Sequence, residues 1–252
     1  MDSFKEFIFF WTYGYAESIR NVVLNDSNGL VDIEMFFSQE GKDFLDKSLK
    51  PNKKTLLQDF ISESIYVETD YFLKKDFDST IQEVYEVLDS YNAIYNQFDQ
   101  YRGHDYRHYI MKKLDKYVLN RLSNEVFTLL YQDRELLRAF NEHAANYVRT
   151  LLYQHHPNYL ARDGVFLRYN SWPKWLIKGL FFRDKGRCAI CCCDLTGLYF
   201  TGHKLAIDHI VPLANGGIND PTNLQILCQK CNSTKGARSS HTKFWVPLYW
   251  EN

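Results

Sequence analysis

Residues 188–238 read CAICCCDLTGLYFTGHKLAIDHIVPLANGGINDPTNLQILCQKCNSTKGAR and contain all six cysteines of the chain. Two Cys-x-x-Cys pairs, Cys188/Cys191 and Cys228/Cys231, lie towards the two ends of this stretch. A Cys-x-x-Cys turn presents two thiolates to one ion with little strain, and four thiolates complete a tetrahedral zinc site. The spacing therefore predicts a structural zinc ion on these four cysteines, with folded structure between the two pairs.

The neighbouring cysteines leave one ligand open, because Cys192 and Cys193 directly follow the first pair and Cys193 can replace Cys191 as the ligand. A disulfide framework is the competing interpretation. Disulfides that staple a secreted protein are usually spread along the chain, whereas these cysteines are confined to one short segment. The confinement favours metal thiolates in a reducing compartment, and we expect a cytoplasmic protein.

Between and after the cysteine pairs, five short features occur in a fixed order: Asp208-His209, Pro212, Gly216-Gly217, Asn223-Leu-x-x-Leu-Cys and Cys231-Asn-x-x-Lys. This combination resembles the core of the HNH endonuclease family, in the form whose ββα-metal fold is closed by a four-cysteine zinc site. The resemblance covers about residues 183–238. It implies hydrolysis of DNA phosphodiester bonds with a catalytic divalent ion, Mg²⁺ or Mn²⁺, in addition to the zinc.

The Asp-His pair lies in a segment, Leu205 to Val211, that is apolar and β-branched and ends at Pro212. This composition predicts a β-strand. Neighbouring residues of a strand point to opposite faces, so Asp208 and His209 are not expected to share one face. The resemblance implies that Asp208 binds the metal on one side while the strand bends near Pro212.

Four residues are the predicted catalytic set. A neutral imidazole can take a proton from the attacking water, and we assign His209 as this general base. The resemblance implies that Asp208 is the carboxylate ligand of the divalent ion and that Asn232, where the family often has His, is the second oxygen ligand. It also implies that Asn223 orients either the loop or the His209 ring.

Two cations are predicted to bind the substrate. Lys235 follows Asn232 by three residues, which places it one helical turn further on the same face, where it can hold a phosphate. Arg187 precedes the first zinc pair and can contact a nucleic-acid backbone, although a solvated basic helix end is equally consistent with the sequence.

Charge is unevenly distributed along the chain. From Val165 onward there are 11 Lys and Arg against 5 Asp and Glu, a net charge of +6, whereas residues 1–164 carry a net charge of −7. A basic segment beside an acidic one is typical of a phosphate-binding module attached to a domain that does not bind nucleic acid. No apolar run approaches the roughly 20 residues of a membrane-spanning helix, so we expect no membrane association.

The first part of the chain is dominated by helical periodicity. Examples are the apolar residues between Leu56 and Ile65 and between Ile81 and Tyr95, and we expect five to seven helices. The predicted fold class is α+β: an all-α domain at 1–156, a linker at 157–172 that is rich in loop-forming residues, and a small zinc-stabilised ββα-metal domain at 173–252.

These observations predict a metal-dependent endonuclease that cuts DNA. The alternative is a zinc-containing module that binds nucleic acid without catalysis. The acidic helical domain suits a regulated effector, as in restriction or anti-phage defence, and would act as a homodimerisation surface or dock a regulatory protein partner.

Overall fold

The protein, described by a computed structural model, is defined at residues 7–25, 29–39, 41–97, 104–203, 205–237 and 239–243. Its helices are Thr12–Asn25 (α1), Ile33–Gln39 (α2), Gly41–Leu49 (α3), Leu56–Lys75 (α4), Phe77–Ser90 (α5), His104–Leu114 (α6), Asn120–Leu130 (α7), Arg134–Val148 (α8), Lys174–Arg183 (α9), Thr196–Phe200 (α10) and Gln229–Lys235 (α11). A π-helical segment, Asp115–Leu119, joins α6 to α7. The strands are Leu160–Arg162 (β1), Val165–Phe166 (β2), Ala206–His209 (β3) and Leu224–Leu227 (β4).

The predicted α+β class is confirmed, since helices are followed by two small two-stranded sheets, β1–β2 and β3–β4. The number of helices was underestimated, because the described residues between 12 and 148 form eight α-helices. Two of them, α2 and α3, have only 7 and 9 residues, too few to show a clear helical period. No helix among the described residues combines the length and apolar character that crossing a bilayer requires.

The chain divides into two compact units that do not follow chain order. One comprises Met1–Asp32 and Leu57–Leu130, and the other comprises Ile33–Leu56 and Tyr131–Asn252. This division differs from the predicted boundaries at 156 and 173, because α2, α3 and α8 lie in the unit that contains the Asp-His motif. Residues 244–252, at the end of the predicted ββα-metal domain, lie outside the described residues.

The first unit, which we call the helical unit, is organised around a buried carboxylate. Glu125 on α7 is only 1% exposed. Its side chain accepts hydrogen bonds from Ile8 N at 3.0 Å and Phe9 N at 2.9 Å, and from Thr12 Oγ1 and Tyr91 OH, both at 2.9 Å. A buried charge is tolerated when such donors replace water, so these contacts fix the start of α1 against α7.

The second unit, which we call the site unit, has an aromatic core. Five phenylalanine side chains are almost fully buried: Phe36, Phe37, Phe44, Phe140 and Phe166. The Phe37 ring lies 5.1 Å from the Phe140 ring and 5.8 Å from the Phe44 ring. Edge-to-face and tilted pairs of this kind add to the apolar burial of each ring. The core therefore joins α2, α3 and α8 to the β1–β2 hairpin.

Residues 157–172, for which the sequence predicts a linker, hold that hairpin. Leu160 pairs with Phe166 and Arg162 with Val165 in antiparallel register. Gly164 turns the chain with φ +64°, a value that favours glycine, and its amide donates to Leu151 O at 2.9 Å. The segment is thus folded onto the site unit over part of its length.

The Asp-His motif lies in a ββα arrangement of β3, β4 and α11. The strands are antiparallel, with Asp208 opposite Gln225 and His209 opposite Leu224, and α11 packs on both. Strand β3 ends at His209, two residues earlier than predicted. Beyond it, Ile210 N and Val211 N donate to the backbone and side-chain oxygens of Asn223, at 2.6 and 2.8 Å, which ends the regular ladder.

Candidate active site and metal centre

The loop after β3 is closed by a buried asparagine. Asn223 is 0% exposed, and its Oδ1 accepts from Val211 N. Its Nδ2 donates to Val211 O and Ile218 O, both at 2.9 Å. A Cβ on Gly217 would lie 1.9 Å from Val211 O, so only glycine fits this turn. Asn223 was predicted to orient either the loop or the His209 ring, and its hydrogen bonds are all made with the loop.

The ring of His209 is held by a second asparagine, Asn219. His209 Nε2 lies 3.0 Å from Asn219 Oδ1. The Asn219 Nδ2 donates to three carbonyls, Leu49 O at 2.9 Å, Leu167 O at 3.0 Å and Ser48 O at 3.2 Å. Because these acceptors fix the orientation of the amide, Oδ1 faces the ring and Nε2 must carry the proton. In a neutral imidazole, Nδ1 then carries the lone pair.

Burial keeps this imidazole neutral. His209 is 8% exposed, and its burial lowers its pKa from 6.5 to about 4. The hydrogen bond with Asn219 and the charge of Asp208 oppose this shift, whereas the charges of Arg168 and Lys235 add to it. A ring that is unprotonated at neutral pH can accept a proton at Nδ1.

Asp208 projects to the other side of β3, as strand alternation predicts. Its Oδ2 accepts from Gln225 Nε2 at 3.0 Å, across the hairpin, and lies 2.9 Å from Lys235 Nζ. The His209 ring instead faces Trp172, with the ring centroids 5.9 Å apart. The carboxylate and the imidazole therefore lie on opposite faces of one narrow strand.

Lys235, predicted to hold a phosphate, makes internal contacts. Its side chain is 2% exposed. Besides the ion pair with Asp208, its ammonium donates to His209 O at 2.7 Å. Lys235 thus connects the last turn of α11 to Asp208 and His209. Its positive charge faces these two residues rather than solvent.

Asn232 lies one turn before Lys235 on α11 and is partly exposed. Within the described part of the chain, its side chain forms no hydrogen bond. A carboxylate oxygen from Asp208 and an amide oxygen from Asn232 are the donor types that hard divalent ions take, with water completing the shell. The donor chemistry of the two residues therefore fits an ion such as Mg²⁺ or Mn²⁺.

Three of the four predicted zinc ligands converge, together with Cys193 rather than Cys231. The Sγ atoms of Cys188, Cys191, Cys193 and Cys228 all lie within 4.8 Å of one another. Cys191 Sγ and Cys228 Sγ are 3.7 Å apart. A tetrahedral ion with Zn–S bonds of about 2.3 Å requires S···S separations of about 3.8 Å. The arrangement of the thiols therefore fits a zinc ion.

A fifth thiol, that of Cys231, lies next to this cluster. Cys231 is the predicted fourth ligand, and its N–H donates to Cys228 Sγ at 3.4 Å. Burial raises the pKa of the Cys231 thiol, with further contributions from hydrogen bonds with Cys228, Cys191 and Cys188. Burial likewise raises the pKa of Cys193 to about 12. Cys193 and Cys231 thus both remain candidates for the fourth ligand, whereas Cys192 lies outside the cluster of thiols.

Arg187 lies at the zinc knuckle rather than beside His209. It is exposed, its Nη1 donates to Cys192 O at 3.1 Å, and its backbone forms a β-bridge with Asp194. These contacts stabilise the turn that carries Cys191 and Cys193. The exposed guanidinium keeps the freedom to meet a nucleic-acid backbone.

Buried polar contacts anchor β4 to α9. Asp184 Oδ2 accepts from Ile226 N at 3.0 Å, and Arg183 Nη2 donates to Leu224 O at 2.7 Å. Both side chains are almost fully buried and bond each other, with Arg183 Nε 2.8 Å from Asp184 Oδ1. This network holds the strand that pairs with the Asp-His segment.

Sequence reasoning missed Asn219, Trp172 and Arg168 at this site. Asn219 follows the Gly216-Gly217 turn by two residues, which is its only local signal. Trp172 and Arg168 lie in the segment predicted as a linker, where nothing in the local sequence connects them to His209.

Comparison with known proteins identifies one segment. No curated protein and no solved structure matches the chain. A family model described as HNH endonuclease matches residues 188–238. The resemblance that the sequence indicates is therefore confirmed for this segment, which matches the HNH endonuclease family.

Proposed function

We propose that the protein is a metal-dependent endonuclease that hydrolyses phosphodiester bonds of DNA at His209. The observation that carries this proposal is the neutral imidazole held through Nε2 by Asn219, with Nδ1 left to accept a proton. A zinc module that only binds nucleic acid has no need for a buried base in an Asp-His pair on a strand.

In this mechanism His209 removes a proton from water through Nδ1, and the resulting hydroxide attacks phosphorus. The P–O bond to the leaving oxygen then breaks. Asn219 keeps the ring in one tautomer and one orientation during this proton transfer, because a rotated ring would present the N–H instead of the lone pair. Burial of the ring supports the same role, since it keeps the base unprotonated at neutral pH.

Asp208 and Asn232 would hold a divalent ion, with Mg²⁺ or Mn²⁺ the best match to two oxygen donors. When bound, such an ion neutralises charge that develops on the phosphate and stabilises the leaving oxygen. The role of the zinc would be structural. Cys228 belongs to the cysteine cluster and is also the N-cap residue of α11. A zinc ion bound there would hold the start of the helix that carries Asn232.

Digestion of plasmid, linear duplex, single-stranded DNA and RNA by wild type and His209→Ala tests the proposal. We expect DNA cleavage with Mg²⁺ or Mn²⁺, loss of cleavage with chelator, and a decrease of at least about 100-fold in the variant. Cleavage that survives His209→Ala contradicts the assigned base. Nucleic-acid binding without cleavage under any divalent ion would favour the alternative, a non-catalytic binding module.

We further propose that the helical unit regulates this activity, as in an effector of restriction or anti-phage defence, through homodimerisation, a protein partner or a small ligand. Supporting this, the helical unit is a separate compact unit with a cavity of about 480 Å³, lined in part by Trp11, Tyr15, Glu68 and Phe72. Cavities of this size hold small molecules. Sedimentation analysis tests homodimerisation. Phage challenge of cells that carry wild type or His209→Ala tests the defence role, which requires wild type to protect the cells and the variant to fail.

A further inference from the structure

The segment 167–172, which connects β2 to α9, runs along His209. At its start, Leu167 O accepts the amide of Asn219 at 3.0 Å, and Asn219 in turn holds the imidazole. At its end, the Trp172 ring lies edge-to-face with the His209 ring. The Tyr169 ring packs on Trp172, with the centroids 5.4 Å apart. The segment is therefore fixed at both ends against the candidate base.

Arg168 lies in the middle of this fixed segment and is exposed. Among the described residues, its guanidinium has no hydrogen-bond or ion-pair partner. Because Leu167 and Trp172 flank Arg168 in the segment and contact Asn219 and His209, Arg168 lies beside the candidate base while its donors remain free.

The other cation near His209 is already engaged. Lys235 is buried, and its ammonium is bonded to Asp208 Oδ2 and His209 O. Arg187 lies at the zinc knuckle rather than beside His209. A substrate phosphate that reaches Nδ1 of His209 therefore meets Arg168 as the uncommitted positive charge in the described part of the site.

We propose that Arg168 binds the non-bridging oxygens of the phosphate that His209 attacks, an inference that rests on the proposed nuclease function. A planar guanidinium matches two phosphate oxygens at once, and Lys provides only a point charge. Charge accumulates on these oxygens as hydroxide adds, so the contact strengthens between the bound state and the transition state. Arg168 thus both binds substrate and stabilises the reacting group.

The test compares Arg168→Ala and Arg168→Lys with a matched control, Arg162→Ala, which removes an exposed arginine from β1 in the same hairpin region. We expect Arg168→Ala to lower kcat/KM about 100-fold, mostly in kcat. Arg168→Lys should recover only part of this loss, and Arg162→Ala should behave as wild type. The thermal unfolding midpoint should be the same in all four proteins.

A binding arm separates this inference from the nuclease proposal. Affinity for a DNA duplex is measured against salt concentration in His209→Ala proteins with and without Arg168→Ala. Loss of one phosphate contact should reduce the magnitude of the slope of log K against log salt by about 0.9. If Arg168→Ala matches Arg162→Ala in both cleavage and salt slope, the inference is overturned. If wild type does not cut DNA, the nuclease proposal fails and the salt slope alone decides the role of Arg168.

Discussion

Asn219 presents Oδ1 to Nε2 of His209 at 3.0 Å, while its Nδ2 is directed at backbone carbonyls of Ser48, Leu49 and Leu167. A single side chain thereby fixes the tautomer of the candidate base and joins three separate parts of the chain. Two of these parts, α3 and the segment after β2, lie outside the matched HNH segment.

Replacement of Asn219 should separate the two functions of its amide. Asn219→Ala removes the acceptor that orients the ring, and we expect kcat to fall about 10- to 100-fold with little change in KM. Asn219→Asp keeps an oxygen acceptor but removes the amide donor of Leu49 O and Leu167 O, so it should lower the free energy of unfolding by about 1–3 kcal/mol. Steady-state kinetics and urea denaturation measure the two effects. Equal kcat in wild type and Asn219→Ala would show that ring orientation does not depend on this contact.

The depressed pKa of His209 predicts an unusual pH profile. With a pKa of about 4, the ring is the unprotonated base throughout the range from about pH 5 to 7, so the acid limb of kcat/KM should lie near pH 4. An ordinary exposed histidine would give a limb near 6.5. An acid limb near 6.5 that disappears with loss of the His209 side chain would contradict the neutral, buried ring.

The same shift couples stability to pH. Between pH 6.5 and about 4, the unfolded chain binds a proton at His209 that the folded chain does not. The free energy of unfolding contributed by this residue is therefore fully present above pH 6.5. It decreases as pH falls through this window, by up to roughly 1.4 kcal/mol per pH unit. Urea denaturation of wild type and His209→Gln at several pH values should show a steeper decrease on acidification in wild type than in the variant.

Substitution of Lys235 distinguishes a structural role in internal contacts from a role in substrate binding. If its ammonium serves Asp208 and His209 O, Lys235→Met should lower the free energy of unfolding by about 1–3 kcal/mol, because it leaves the carboxylate unpaired. The double variant Asp208→Asn/Lys235→Met should recover part of this loss. A lysine that binds phosphate instead would give unchanged stability and weaker DNA binding. Urea denaturation and binding measurements on the same proteins decide between these outcomes.

The cysteine cluster and the neighbouring Cys231 predict an asymmetric response to substitution. Cys188→Ser and Cys228→Ser should weaken zinc binding most, because both thiols belong to either possible set of four ligands, whether the fourth is Cys193 or Cys231. Cys193→Ser should keep one zinc per chain, since Cys191 and Cys231 remain. Cys192→Ser is the matched control, as its thiol lies outside the cluster. Metal content after dialysis, with the absorption of the Co²⁺ form, reports both occupancy and the number of thiolate ligands.

The sequence, with its family resemblance, predicted the ββα arrangement and three of the four converging cysteines, and it left two roles open for Asn223. Each of these depends on residues within a few tens of positions of one another. The anchor of His209 was not predictable in this way, because Asn219 and Ser48 are 171 residues apart in sequence. The pairing of Lys235 with Asp208 was missed for a related reason: helical spacing gives the face of α11 but not what packs against it.

The long-range contacts make a prediction about the fragment 173–252, which the sequence predicts to be a domain. In the full chain, Asn219 N donates to Ser48 O at 2.9 Å, and Asn141 Nδ2 on α8 donates to Thr222 Oγ1 at 3.2 Å. A Cβ on Gly216 would lie 2.8 Å from Ala145 O, so α8 packs directly on the loop that follows β3.

Because the fragment lacks α3 and α8, we expect it to bind zinc through its cysteines but to leave residues 210–223 unprotected. Hydrogen exchange with mass spectrometry measures this protection in the fragment and in the full chain under the same conditions. The longer fragment 131–252 restores α8 but not Ser48. In this fragment, the amides around Thr222 should therefore exchange more slowly than the amides around Asn219. Full protection of residues 210–223 in the fragment 173–252, together with a cooperative unfolding transition, would instead establish an autonomous domain and reduce the helices to accessory elements.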